Sequence, residues 1–447
     1  MAPDGATGGP ARSRGRRLAP FVLLVCLLLA GCSVGYTGTP SPSPDPDRIG
    51  YEDGYAANAT LSVTPEDGLN DTELAAVVAR TTARVERIRG AEFDGNLTVE
   101  TLTREEYRAR NLSFTPREDR AADARWEAAL LVGEDAASEA VVSDLFGGAV
   151  AGYYLPGENR LVLVGEVNTR TLAHELVHAL QDARGWDVSR RATLDGRLAG
   201  RGLTEGEAVA VQRAYAARCG SEWDCLPLPP RGDLDVDAVV AHPGVYLVFR
   251  APYVLGPEFV GALRERGGWD AVNDAYADPP TATRELLDPA AYPAASPEVA
   301  IADRSTRTWE RYGGADSLGR ATVHATFWRH NLVARGDDAV ATDYRDRYTD
   351  GLVADRFRAY RNGDADGYVW RLRFANASEA AEFAAGYERL LRLRLNARAP
   401  TGDVFVVESG PFADAFRVTR DGDAVTIVNA PALGDLSAVH AREGVAA

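Results

Sequence analysis

The sequence predicts an α+β fold, and three observations carry that prediction. Apolar residues Leu74, Val77, Val78, Val85 and Ile88 recur at helical spacing through residues 72–90. In AGYYLPGENRLVLVGE, residues 151–166, two β-rich runs flank the turn formers Pro156, Gly157, Glu158 and Asn159, as in a hairpin. The last third of the chain mixes strand-like runs (YVWRLRFA, VFVVE, AVTIVN) with one long helical repeat, SEAAEFAAGYERLLRLRL.

Length and composition set the frame. At 447 residues, 45% of them apolar, the chain can bury a sizeable core and has room for about two or three domains. A formal charge of −16 argues against nucleic acid as a partner, because no basic surface is available to neutralise phosphates. Every basic residue is arginine, and there is a single methionine. Such an acidic, lysine-free chain reads as an exterior solvated for high salt rather than a trap for cationic substrates.

Residues 1–31 are expected to be a targeting segment. Arg12, Arg14, Arg16 and Arg17 precede the apolar run LAPFVLLVCLLLAGC, which is too short to span a bilayer comfortably. The run ends in Leu29-Ala30-Gly31-Cys32, which resembles a lipobox, whose cysteine becomes the lipidated N-terminus after cleavage. The paired Arg16-Arg17 matches twin-arginine export only loosely, and an uncleaved membrane anchor is the alternative. In either case the rest of the chain is expected at the extracellular face of the membrane. Residues 32–50, with TGTPSPSPDPD, suit an extended linker. Sequons at Asn58, Asn70, Asn96, Asn111 and Asn376 are candidate glycan acceptors on an exported protein. Cys219 and Cys225 in CGSEWDC are expected to form a local disulfide; metal ligation is the alternative, disfavoured without a neighbouring histidine.

Beyond the linker, residues 51–150 read as an N-terminal α/β region with a strand at LTVETL and a helix near ADARWEAALLVG. Residues 151–298 form the expected core. A helix should start after Asn168 or Thr169 and stop at Gly185, and a second should cover 204–217. Two short helices, broken at Gly267-Gly268, should end at Pro279-Pro280. Residues 299–447 read as a separate α+β region that opens with a helix near ATVHATFWRHNLVA.

The stretch with chemistry in it is TLAHELVHALQD, residues 171–182. On a helix, His174 and His178 lie one turn apart on one face, close enough for both imidazoles to bind one metal ion. Leu172, Leu176, Ala179 and Leu180 give that helix an apolar surface to bury. Glu175 falls about 100° round from His174, near the metal without having to ligate it. The spacing matches H-E-x-x-H, with two zinc-binding histidines and a glutamate base. Catalytic zinc keeps three protein ligands and one open position. Glu205, in GLTEGEA and 27 positions after His178, is the preferred third ligand, with Glu207 competing.

Together, TLAHELVHALQD and GLTEGEA resemble the active-site core of gluzincin zinc metallopeptidases. With its lipobox and lysine-free acidic sequence, the whole chain resembles the zincin-like surface lipoproteins of halophilic archaea. The resemblance implies a zincin-like core in residues 151–298, one zinc ion per chain on His174, His178 and Glu205, and Glu175 as general base. It also implies that the 153–164 hairpin is the edge strand for an extended peptide or protein substrate. An oxyanion donor is needed as well, and Tyr253, Tyr276 and His242 all remain candidates. Asp182, one turn past His178, could orient an imidazole. His324, His330 and His440 are expected to be structural or exposed. The expected function is a lipid-anchored extracellular metallopeptidase, an endopeptidase by default because no G-x-M-x-N substrate motif occurs. The alternative is a surface lipoprotein of the same fold that binds or builds envelope without turnover.

Overall fold

The computed structural model describes residues 48–442, apart from 64–67, 94, 96, 111–118, 147–149, 187, 189–190, 230–235 and 335–341. The export segment, Cys32 and most of the linker therefore lie outside the described residues, as do Asn96 and Asn111. Among the described residues, no helix is long and apolar enough to cross a membrane.

Mixed helices and sheets confirm the α+β class. A two-residue hairpin, β1 (Tyr51–Glu52) and β2 (Tyr55–Ala56), leads to α1 (Asp71–Arg89). Asn70 caps α1, its side chain accepting from the Thr72 and Glu73 amides, while Glu73 reaches back to the Asn70 amide. Gly90 closes the helix with φ +68°. The expected single buried face proves too narrow: Arg80, Arg84 and Arg89 are buried as well. Their heads find partners inside; Arg84, for example, donates to the Ala57 and Asp224 carbonyls.

After α1 come β3 (Thr98–Leu102), α2 (Arg104–Ala109), α3 (Arg120–Ala128) and α4 (Ser138–Phe146). Then β4 (Gly152–Leu155) and β5 (Arg160–Val164) form the hairpin, with Gly157 and Asn159 at positive φ in its turn. Parallel pairing of β3 with β5 and antiparallel pairing of β4 with β5 give a three-stranded sheet ordered β3-β5-β4, so β4 is an edge.

The helical core follows, from α5 (Thr169–Ala183) to α6 (Leu194–Arg218), α7 (Val236–Ala241), α8 (Pro243–Ala277) and α9 (Thr283–Leu287). Asn168 caps α5 through the Arg170 amide at 2.9 Å, and Gly185 follows it at φ +69°. The break at Gly267-Gly268 is present, with Gly268 at φ +68°. Helix α6 is longer than expected, starting at Leu194 rather than 204 because Thr193 caps it. Four glycines between 196 and 206 depress its intrinsic helicity by roughly 1 kcal/mol each. Packing outweighs that cost: a Cβ on Gly206 would sit 2.4 Å from the Gly256 carbonyl carbon, and one on Gly256 would sit 2.2 Å from the Gly202 oxygen. Only glycine allows α6 and α8 to cross at that distance.

The C-terminal part supplies β6 (Glu310–Asp316), α10 (Gly319–Arg329), β7 (Leu352–Asn362), β8 (Ala365–Phe374), α11 (Ala377–Arg394), β9 (Arg398–Thr401), β10 (Val404–Val406), β11 (Ala415–Asp421), β12 (Ala424–Ala430) and α12 (Leu436–Val439). Its strands form one antiparallel sheet ordered β6-β7-β8-β12-β11-β10-β9. Phe383, Tyr387 and Leu390 of α11 pack on one sheet face with Trp370, Phe357 and Ile427. Trp309, Val428 and Val439 line the other.

Packing crosses the boundaries expected at 150 and 298. From the N-terminal side, α3 lies on β6, β7 and β8, while α10 packs against α8 with Ala321, Ala325 and Trp328 in the helical core. Residues Asp47–Ala447 form one compact unit.

Candidate metal centre

Three side chains from two helices meet at one point. His174 and His178 project from α5 and Glu205 from α6. The two Nε2 atoms are 3.2 Å apart, and Glu205 Oε2 lies 3.3 Å from His174 Nε2 and 3.4 Å from His178 Nε2. A tetrahedral ion with bonds of about 2.0–2.1 Å separates its ligands by about 3.3–3.4 Å. The triangle therefore has the size of one face of a zinc coordination shell. Glu205 Oε2 is buried and makes no regular hydrogen bond among the described residues, so a carboxylate oxygen points into the triangle with only the two imidazoles facing it. Nitrogen and carboxylate donors at this spacing fit zinc.

Electrostatics at the triangle agree with that fit. Burial works against a charged His178, but the Glu205 carboxylate outweighs it and lifts the imidazole to about 9. Burial would raise Glu205, yet His178 and His174 hold it well below the carboxylate range. The carboxylate thus favours a positive charge on the His178 ring that faces it. Side-chain exposures of 13%, 20% and 10% for His174, His178 and Glu205 leave the triangle open on one side.

Glu175 sits beside this triangle and accepts a hydrogen bond from the backbone amide of Tyr154 on β4. Burial raises its pKa, against the pull of both histidines. Asp182 does not reach an imidazole. It accepts from the Tyr154 hydroxyl at 2.8 Å and the Gly157 amide at 2.9 Å, tying the hairpin turn to α5. Gln181 does the orienting instead, its Oε1 lying 2.9 Å from His178 Nδ1. It sits three residues after His178, on the same helical face, so spacing alone could have singled it out.

Glu207 is not at the triangle. Two residues past Glu205 on a helix, it points about 200° away, into the protein. There it is fully buried in an ion pair with Arg89 of α1, and it accepts from Gln181 Nε2 at 3.0 Å and from the Tyr276 hydroxyl. Arg89 stacks against Trp269 and Trp186 and reaches Asn273 at 2.5 Å. A chain of contacts thus runs from His178 through Gln181 and Glu207 to Arg89. No spacing rule points to Arg89, since its partners are 118 and 184 residues away.

Of the three oxyanion candidates, only Tyr253 comes to the triangle. Its ring stacks 6.5 Å from that of His174 at 17°, it is 37% exposed, and with Arg201 it faces Glu205. Tyr276 is excluded because its hydroxyl is bound to Glu207 and Gln181, behind His178. His242 precedes the first turn of α8, eleven residues before Tyr253, or about 16 Å along the helix axis. His324 is fully buried between Asp346 and Thr342, and His330 binds the Leu130 carbonyl. His440, 8% exposed, is likewise buried. Cys219 and Cys225 form a disulfide just beyond α6.

Residues 308–440 match one family model. Its description is "Domain of unknown function (DUF8575)", and the match lies within the C-terminal sheet region, apart from the histidine motif. No curated protein and no solved structure matches the chain.

Proposed function

We propose that the protein is a zinc metallopeptidase of gluzincin type, acting at the outer face of the membrane to which its N-terminal lipid holds it. The observation that carries this reading is the triangle of His174 Nε2, His178 Nε2 and Glu205 Oε2, with its buried carboxylate oxygen and Glu175 alongside. A zinc ion on these three ligands would supply a Lewis acid that acidifies water and polarises a peptide carbonyl. The residues of the chain do the rest. Glu175 takes the proton from the attacking water and passes it to the departing amine. Tyr253, exposed beside His174, donates to the developing oxyanion. Edge strand β4 pairs with the extended substrate backbone, and its Tyr154 amide keeps the Glu175 carboxylate aimed. Gln181 fixes the tautomer of His178.

The purified protein should carry about one zinc per chain and cleave an unfolded protein such as casein in high-salt buffer. Glu175→Gln should keep the zinc and lose activity by roughly 10²–10⁴-fold. Wild-type protein that is fully zinc-loaded yet inert toward a broad peptide library would favour the alternative, a surface lipoprotein that binds without turnover.

A further inference from the structure

A second cluster of titratable groups lies far along the chain from the histidine motif. Glu127 lies in the last turn of α3, Glu134 follows seven residues later, and Asp414 immediately precedes β11. One carboxylate oxygen from each comes within 4.8 Å of the other two. The approach is built into the backbone: the Glu134 amide donates to the Pro411 carbonyl at 3.0 Å, and Gly133 lies so close to Pro411 that a Cβ would meet its side chain at 2.3 Å.

Among the described residues no basic side chain offsets this charge, and Glu127 and Asp414 hydrogen-bond to each other. No ion pair among the described residues involves any of the three carboxylates, and the charged groups that bear on Glu127 are all acidic: Asp414, Glu134 and Asp366. Asp366 is itself paired with Arg120. Glu127 is 6% exposed, and its Oε1 has no hydrogen-bond partner among the described residues. Asn429, 1% exposed, donates its amide to Asp414 Oδ2 at 2.8 Å, and its Oδ1 is also buried without a partner. Two buried oxygens with no donor therefore accompany three carboxylates with no cation. Isolated buried carboxylates cost several kcal/mol each unless a proton or a metal ion joins them.

We propose that Glu127, Glu134 and Asp414 bind a hard divalent cation of the calcium type. All the donors are carboxylate oxygens, the set that suits hard cations rather than the nitrogen and sulfur donors zinc prefers. Calcium takes six to eight oxygen ligands at about 2.3–2.6 Å, and three carboxylate oxygens within 4.8 Å of one another can reach one such ion together. Exposed Glu134 gives the ion a route from solvent, and water completes the shell. Bound there, the cation joins the end of α3 to the loop before β11. It would thereby fasten the N-terminal part of the chain to the C-terminal sheet. The competing compensation is a proton shared by Glu127 and Asp414, whose carboxyls burial and mutual repulsion raise, Asp414 to about 6.

Thermal melts of the full chain with added calcium chloride, and terbium luminescence sensitised by nearby Tyr368, test the site. Calcium should raise Tm by about 3 °C or more at saturation and displace about one terbium per chain. Glu127→Gln and Asp414→Asn should abolish both effects. If those buried variants fail to fold, exposed Glu134→Gln should fold and weaken calcium binding about tenfold or more. Glu205→Gln should leave the calcium response intact, which separates this site from the histidine centre. An unchanged Tm with calcium, an equal response to magnesium, or a full response in Glu127→Gln would each overturn the proposal. Stability that follows pH alone would show that the shared proton does the work.

Discussion

The two buried acidic clusters handle the same problem in opposite ways. At the histidine centre, Glu205 faces two imidazoles, and behind it Glu207 faces the Arg89 guanidinium, so each carboxylate meets a base from the chain itself. At the α3 end, Glu127, Glu134 and Asp414 face one another. The first arrangement carries its own counter-charge; the second has none and must borrow a proton or a cation. The difference teaches that acidic composition alone says little about a buried site. What matters is which bases the fold brings within 4 Å.

Glu205→Gln breaks the compensated side most severely. It removes a ligand and the counter-charge together, so zinc content should fall from about one per chain towards zero, with activity down by more than about 10³-fold. Metal analysis beside a casein assay checks this, and undiminished zinc in the variant would remove Glu205 from the centre. Arg89→Leu leaves Glu207 charged and buried; it should cost about 3–5 kcal/mol in urea unfolding. Arg89→Leu combined with Glu207→Leu should recover part of that loss, as expected if the cost lies in the unpaired charge.

Asp195 at the start of α6 offers a third probe. Burial lifts its carboxyl to about 7, with Asp355 adding to the effect, although Thr283 donates to it from amide and hydroxyl. A folded pKa above the unfolded value of 3.8 means the native state holds the proton more tightly. This contribution is thus full below about pH 4 and is lost as pH rises towards 7. Asp195→Asn, which can still accept from Thr283, should flatten that slope and gain roughly 2–4 kcal/mol at pH 8 relative to wild type. Denaturant melts at pH 5 and pH 8 decide it; parallel slopes in the two proteins would assign the pH dependence elsewhere. The smallest effect is expected from Gly206→Ala, which forces α6 away from α8 and should cost about 1–3 kcal/mol. Zinc affinity should weaken with it if the crossing sets the position of Glu205.

Local patterns in the sequence disclosed a good part of this arrangement. The α5 cap at Asn168, the hairpin turn, the break at Gly267-Gly268 and the strands β8, β10 and β12 were all legible, because each depends on neighbours within a few residues. The motif and the GLTEGEA segment indicated which side chains to look for. Three things were not legible. The first ten residues of α6 were hidden because its glycines only make sense against α8. Strands β6, β7 and β11, rich in arginine and aspartate, lack the apolar runs that betray a buried strand. The partners of Arg89, Glu127 and Asp414 come from remote parts of the chain, and no spacing rule connects them.

Helix α6 begins against the region that carries the family match. The Leu194 amide donates to Asp316, the Asp195 amide to the Ser317 carbonyl, and the hydroxyl of Thr283, which holds Asp195, also accepts from the Ala321 amide. The helix bearing Glu205 is therefore anchored at its first turn by the very module that contributes no ligand. Such an architecture cannot be divided into interchangeable parts: a chimera that swapped residues 308–440 for another sheet would have to reproduce these few polar contacts before its remote carboxylate found the histidines again.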